Sequence, residues 1–170
     1  TLSYPSLRNF VKIEITRLIL ERFGHVDAIA GVATGAIPQG ALVADALNLP
    51  FVYVRSTPKD HGLENLIEGE LRPGMKVVVV EDLISTGGSS LKAVEAIRRD
   101  GCEVIGMVAA YTYGFPVAEK AFKDAKVPLV TLTNYEAVME VALRTGYIEE
   151  EDVETLNEWR KDPAHWESGK

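Results

Sequence analysis

Four consecutive valines at positions 77–80 constrain the fold of this chain more than any other feature. A run of β-branched residues without polar alternation is typical of a strand buried on both faces, as in a parallel sheet. Glu81 and Asp82 follow at once, and then the hydroxyl- and glycine-rich run STGGSS at 85–90. Ligands of open α/β sheets bind at the carboxyl ends of such strands. The junction after the valines is therefore the first candidate for a functional site.

The rest of the chain predicts an α/β fold with a central, mostly parallel sheet flanked by helices. No internal repeat or linker interrupts it, so we expect a single domain over residues 1–170. Apolar spacing predicts a first helix that Gly24 ends. The other predicted strands are 26–33, 51–54, 103–111 and 127–132; the other predicted helices are 36–48, 89–99, 116–125, one from 134 to a break near Gly146, and one that begins at 149.

Residues 55–74 form a long polar segment punctuated by glycine and proline. Connections of this length are uncommon in compact domains and are usually lids, binding loops or disordered segments. We predict a long loop here, with room for a small β-hairpin.

Composition excludes some classes of function. The net charge of −7 argues against general nucleic-acid binding. No apolar run approaches the roughly 20 residues that span a bilayer, and no export leader is visible. The single cysteine, Cys102, cannot form an internal disulfide and is predicted to be a small buried residue. These features predict a cytoplasmic protein without a membrane span.

The run at 85–90 matches neither of two common phosphate-binding patterns. No glycine precedes Lys-Ser or Lys-Thr as in a P-loop, and GVATGAIPQG (31–40) lacks the dinucleotide spacing. However, successive backbone N–H groups at 85–89 can curl around an anion at a helix N-terminus. Ionised Glu81 and Asp82 would accept hydrogen bonds from sugar hydroxyls. The inferred ligand is a phosphorylated sugar; the alternative is a capped helix that binds nothing.

The stretch VVVVEDLISTGGSS (77–90) closely resembles the 5-phosphoribosyl-1-diphosphate (PRPP) motif of type I phosphoribosyltransferases. RSTPKDHGLENLIEG (55–69) resembles the mobile catalytic loop of the orotate phosphoribosyltransferases, and LSYPSLR (2–8) and GVATGAIPQGALVA (31–44) are also similar to that family. The resemblance covers essentially the whole chain. It implies the type I phosphoribosyltransferase fold and the transfer of phosphoribose from PRPP to orotate.

The resemblance also implies roles for individual residues. Arg55, Lys59 and His61 would neutralise the departing pyrophosphate, although Lys59 and His61 on composition alone would be an exposed charge and a loop histidine. Ser85 would contact orotate. The residues expected to bind PRPP are Thr34, Gly35, Glu81, Asp82, Leu83, Ile84, Ser85, Thr86, Gly87, Gly88 and Ser89.

The sequence departs from the family pattern in several places. Gly35 and Ser56 stand where some relatives carry a basic residue. AAYTYGFP (109–116) has no arginine, although many relatives use one there to pair with the orotate carboxylate. The family's orotate contacts just before residues 2–8 are absent, because the chain begins at Thr1. We therefore expect an incomplete N-terminal segment and leave the identity of the residue that replaces the arginine open.

The family resemblance further implies a homodimer in which the Lys59 loop acts in the neighbouring site. Mg²⁺ is expected on the diphosphate and ribose oxygens with water as its other ligands, not in a site made of protein side chains. Two alternatives remain: a phosphoribosyltransferase for a purine base, and a PRPP-sensing regulator without turnover. The loop residues and the acidic composition argue against both.

Overall fold

A computed structural model describes residues 2–57 and 66–166. Its elements are α1 Pro5–Arg22, β1 Ala28–Val32, α2 Ile37–Leu47, β2 Phe51–Val54, β3 Ile67–Glu68, β4 Lys76–Ile84, α3 Gly88–Arg99, β5 Glu103–Thr112, α4 Pro116–Asp124, β6 Leu129–Asn134, α5 Tyr135–Arg144, α6 Glu150–Lys161 and a 3₁₀ turn Pro163–His165. Among the described helices, none is long and apolar enough to cross a bilayer.

The six strands form one sheet in the order β3-β2-β1-β4-β5-β6. β1 pairs in parallel with β2 and β4, and β4 pairs in parallel with β5. β3 lies in the 55–74 segment and runs antiparallel to β2, which precedes that segment. The small hairpin suggested within 55–74 stays a prediction, because residues 58–65 lie outside the described part of the chain. This arrangement confirms the predicted mostly parallel α/β sheet.

The four valines explain why β4 lies at the centre. All four side chains are fully buried. Val77 and Val79 pack into the cluster that contains apolar residues of α3 and α4, whereas Val78 and Val80 pack into the cluster that contains residues of α1 and α2. The strand is therefore covered on both faces, as its sequence predicted.

β4 continues beyond the valine run to Ile84 because β5 is long enough to pair with it. Glu81 lies opposite Ala109 and Ile84 opposite Thr112. The acidic pair therefore lies near the carboxyl end of the strand, as the sequence suggested, and two further strand residues follow it. Because successive side chains of a strand point to opposite faces, Glu81 and Asp82 begin on opposite sides of the sheet.

The predicted glycine cap of α1 is wrong. The helix ends at Arg22, and Phe23 is its C-cap in an extended conformation with φ −119°. Phe23 is buried, and a Cβ added at Gly106 would lie 2.1 Å from its ring. An anchored aromatic side chain therefore ends the helix where the sequence suggested a left-handed glycine.

The chain divides into two compact units, residues 1–133 and 134–170. In the second unit, Asn134 caps α5 by accepting a hydrogen bond from the N–H of Ala137. The Tyr135 hydroxyl donates to the carbonyl of Leu156 in α6 (3.1 Å), and the Arg160 guanidinium lies 4.6 Å from the centre of the Tyr135 ring. These contacts hold the two helices of this unit together.

Cys102 is buried, as the sequence predicted, and its sulfur lies 3.3 Å from the carbonyl oxygen of Arg72. Burial raises the pKa of the thiol above its ordinary value. Because the thiolate is the reactive form, this position suits a structural residue and not a nucleophile.

Candidate active site

The carboxyl ends of β1, β2 and β4 bring most of the predicted site residues to one edge of the sheet. Thr34 and Gly35 follow β1, and Arg55 follows β2. Val32 lies opposite Val54, and Gly31 opposite Val80, so these ends are direct neighbours. Lys59 and His61 lie outside the described residues.

Glu81 is held inside the protein. Its side chain is only 5% exposed. One carboxyl oxygen accepts a hydrogen bond from the Ser90 hydroxyl at 2.8 Å, and the other accepts from the backbone N–H of Asp82 at 3.0 Å. Burial raises the pKa of Glu81 to about 8. The carboxyl group therefore carries a proton at neutral pH, whereas the sequence interpretation took both acids as ionised.

Asp82 has the opposite environment. It is exposed, and its Oδ1 accepts a hydrogen bond from the N–H of Leu83 at 2.7 Å. Its other oxygen lies against Gly35, where an added Cβ would come within 1.9 Å. The missing side chain at position 35 therefore leaves room for the Asp82 carboxylate beside the loop that follows β1.

The turn between β4 and α3 presents free backbone donors. Gly87 adopts a left-handed conformation with φ 79° and is the N-cap of α3. Within the described residues, the N–H groups of 86–89 donate no hydrogen bond to backbone or side chain. Helix N-termini with unpaired N–H groups favour anions. This geometry agrees with the phosphate site predicted from the sequence.

A cavity of about 370 Å³ connects this turn with the other strand ends. Its lining includes Ala33, Arg55, Ser56 and Ser89. The peptide bond between Ala33 and Thr34 is cis. Arg55 contacts Glu68 at 3.5 Å and is partly exposed. Arg55 and the turn between β4 and α3 thus face a common space.

A second cavity, of about 420 Å³, lies on the side of the sheet that α1 and α2 cover. Its lining includes Gly35, Gln39, Asp82 and Tyr111, together with apolar residues of α1. Gln39 is 6% exposed, and neither atom of its amide has a hydrogen-bond partner among the described residues. Each unpaired buried polar group costs about 1–3 kcal/mol. Sequence reasoning missed Gln39, although a lone glutamine in the apolar run AIPQGALV was a signal.

Residues 109–116, where the family resemblance led us to look for an arginine, are rich in aromatic side chains. Tyr113 contacts Tyr111 edge to face at 5.0 Å between ring centres and stacks on Phe115 at 5.3 Å. The N–H of Tyr113 donates to the carbonyl of Ile84 (3.0 Å), which fixes this segment beside the end of β4. The segment therefore lies next to the predicted site with aromatic side chains in place of a cation.

No group of three or more His, Cys, Asp or Glu side chains in residues 2–57 and 66–166 is arranged to hold a metal ion. The exposed carboxylate of Asp82 is a suitable oxygen ligand for Mg²⁺, which binds proteins through one or two carboxylates together with substrate phosphates. The described residues therefore fit a substrate-borne ion better than a site made entirely of protein ligands.

Comparison with known proteins identifies the family. A family model for the phosphoribosyl transferase domain matches residues 7–144. An orotate phosphoribosyltransferase of Bacteroides fragilis is 94% identical over all 170 residues, which cover 80% of that protein. The chain belongs to the orotate phosphoribosyltransferase family. Relatives of the same name from Porphyromonas gingivalis and Listeria innocua are 71% and 52% identical over 98% of this chain and 79% of theirs.

Solved structures agree with this membership. The orotate phosphoribosyltransferase of Aeropyrum pernix has a TM-score of 0.75 and 28% identity, with 87% of this chain and 81% of that chain covered. The UMP synthase of Leishmania donovani has the same TM-score at 23% identity, with 88% of this chain and 32% of that chain covered, which supports the fold alone. The predicted family and type I phosphoribosyltransferase fold are confirmed; the roles of individual residues stay predictions.

Proposed function

We propose that this chain transfers the 5-phosphoribosyl group from PRPP to orotate and gives orotidine 5′-monophosphate and pyrophosphate, a step of pyrimidine nucleotide synthesis. The observation that carries the proposal is the arrangement at the end of β4. Asp82 and Glu81 lie next to a turn with unpaired N–H groups at 86–89. The names of relatives up to 94% identical support orotate as the base.

In this proposal the turn binds the 5-phosphate and the acids bind the ribose. Residues 83–89 surround the phosphate with N–H and hydroxyl donors. Asp82 accepts hydrogen bonds from the ribose hydroxyls, and Glu81, which carries a proton of its own, can both donate and accept. Gly35 lies beside Asp82, and Thr34 and Gly35 would contact the diphosphate. Ser85, at the start of the turn, would contact orotate.

The chemistry requires no protein nucleophile. The bond from the anomeric carbon to the pyrophosphate oxygen breaks, and its electron pair leaves with pyrophosphate. The orotate ring nitrogen forms the new glycosidic bond, and the proton of its N–H is released to the departing pyrophosphate. Charge that builds on the leaving group is neutralised by Arg55, with Lys59 and His61 from the following segment. These three residues would position the diphosphate, stabilise its developing charge and exclude water from the site.

We infer that Mg²⁺ would enter with PRPP and that diphosphate and ribose oxygens would hold it. Water and the Asp82 carboxylate would supply its other ligands. When bound, the ion would neutralise part of the leaving-group charge. The cations of this chain and the N–H groups of the turn would hold the remaining phosphate oxygens.

The active form is proposed to be a cytoplasmic homodimer in which the Lys59 segment serves the neighbouring site. Support comes from α1 and the residue before it, where Tyr4, Leu7, Phe10 and Ile13 are exposed. Exposed apolar patches often mark protein interfaces. A mixture of inactive Lys59→Ala and inactive Asp82→Ala proteins should regain activity if the loop crosses the interface; separate sites within each chain would give no recovery.

The experiment that tests the function uses full-length protein, PRPP, Mg²⁺ and a panel of bases. We expect consumption of orotate with release of pyrophosphate. Turnover of hypoxanthine or adenine in its place would identify a purine phosphoribosyltransferase. Binding of PRPP without consumption of any base would identify a PRPP-sensing regulator.

A further inference from the structure

Gln39 is a buried amide without a hydrogen-bond partner among the described residues, and it lies on the wall of the cavity next to Asp82. It belongs to α2, just after the loop that carries Gly35. Neither its amide oxygen nor its amide nitrogen forms a hydrogen bond to a described residue. Buried side-chain amides nearly always form hydrogen bonds, so an amide without one in a cavity wall indicates that a ligand binds there.

The cavity has the shape and lining of a small-molecule site. Its volume of about 420 Å³ falls within the range of ligand pockets, roughly 300–1,000 Å³. One wall consists of apolar side chains, among them Val11 and Ile15 of α1, and the opposite end reaches the acids of β4. A ligand whose sugar rests on Asp82 therefore has apolar side chains of α1 and the Gln39 amide within the same cavity for its planar part.

The amide of glutamine selects a particular chemical group. It presents a C=O acceptor and an N–H donor side by side. Its full complement is a ring edge that presents a C=O next to an N–H, which a pyrimidine-dione has at its imide. Residues 109–116 offer no cation to this side of the site, which leaves Gln39 as a polar group on the cavity wall for the base.

We propose that Gln39 forms a paired hydrogen bond with the imide edge of the pyrimidine ring and so orients the base for attack on the anomeric carbon. This inference rests on the proposed function of the site. It assigns Gln39 as a specificity-determining residue that binds the base together with Ser85, and it leaves the phosphoribosyl group to the other residues of 81–89.

The test compares two ligands that differ only by the base. Orotidine 5′-monophosphate and ribose 5-phosphate are titrated into wild-type protein and Gln39→Met, which keeps the length of the side chain without its hydrogen-bonding groups. We expect Gln39→Met to weaken the nucleotide about 10- to 100-fold, and ribose 5-phosphate by less than about threefold. Equal affinity of the nucleotide for both proteins, or an equal loss for both ligands, would overturn the proposal.

Turnover and controls complete the test. The KM for orotate should rise in Gln39→Met with little change in the KM for PRPP. The preference of the wild-type protein for orotate over its N3-methyl derivative should be smaller in Gln39→Met.

Gln39→Leu provides a second apolar variant if the first folds poorly, and Asn9→Leu, which replaces an exposed amide of α1, is the matched control. A wild-type protein that binds ribose 5-phosphate but not orotidine 5′-monophosphate would contradict the proposed function itself, a result distinct from failure of Gln39→Met to differ.

Discussion

The phosphoribosyl side and the base side of the candidate site are built in different ways. The phosphoribosyl side uses residues of one strand and one turn within 81–89, apart from Ser85, and much of its binding capacity lies in backbone N–H groups. The base side combines single side chains from α1, α2 and β5, which are far apart in the sequence. In this proposal, a local backbone motif binds the phosphoribosyl group, whereas side chains that are far apart in the sequence select the base.

The largest effect is expected from Lys59, which the proposal assigns to the pyrophosphate leaving group and not to the base. Lys59→Ala should lower kcat about 10²- to 10³-fold, because one transition-state charge contact is lost. The affinity for orotidine 5′-monophosphate should change little. Steady-state kinetics and titration measure both quantities, with Lys123→Ala as the control on the exposed surface of α4. An unchanged kcat would remove Lys59 from the proposed chemistry.

A second prediction concerns the proton on Glu81. Its folded pKa of about 8 exceeds the ordinary value of 4.5, so the folded state binds this proton more tightly than the unfolded state. Its effect on stability is therefore most favourable below pH 4.5 and is lost as the pH rises towards 8.

Glu81→Gln removes this titration. The free energy of unfolding of Glu81→Gln relative to wild type should therefore rise by a few kcal/mol, in order of magnitude, between pH 4.5 and 8. Urea unfolding at several pH values measures the difference. A constant difference across this range would mean that Glu81 is ionised at neutral pH.

Gly35 offers a milder way to disturb the phosphoribosyl side. Gly35→Ala should displace the Asp82 carboxylate, whose Oδ2 lies 1.9 Å from the position of the new Cβ. We expect the KM for PRPP to rise about 10-fold, the cost of one weakened charged hydrogen bond, with little loss of stability because an exposed side chain can move. Gly24→Ala, which has no neighbour within 4 Å, is the matched control. Equal kinetics of the two variants would contradict the role of this close approach.

The smallest effect is expected from Ser90. Ser90→Ala removes the hydrogen bond from its hydroxyl to Glu81 at 2.8 Å. Stability should fall by about 1 kcal/mol, and the pKa of Glu81 should rise further because that bond lowers it. Urea unfolding against Ser6→Ala, an exposed control in α1, measures the loss. Identical stability of the two variants would show that the Ser90 hydroxyl does not stabilise Glu81.

The sequence predicted the fold well because the local pattern of apolar and polar residues indicates which segments are buried. The valine run identified the central strand, and the alternation of elements predicted a parallel sheet. It could not predict that β4 continues to Ile84 or that Phe23 ends α1, because both depend on partners distant in the sequence, β5 and Gly106.

The candidate site divides in the same way. The acids and the turn were predicted from one contiguous stretch. The different environments of Glu81 and Asp82 were not, because they depend on Ser90 in α3 and on Gly35 beyond β1. Gln39 was missed because its importance comes from the absence of a partner, which only packing in three dimensions reveals.

The most direct test of the central claim is a crystal structure of the protein with PRPP and Mg²⁺. The account predicts the ribose hydroxyls within hydrogen-bonding distance of the Asp82 carboxylate, and the 5-phosphate oxygens within hydrogen-bonding distance of the N–H groups of 86–89. Electron density for the sugar phosphate at another location, with this turn free of phosphate, would contradict it.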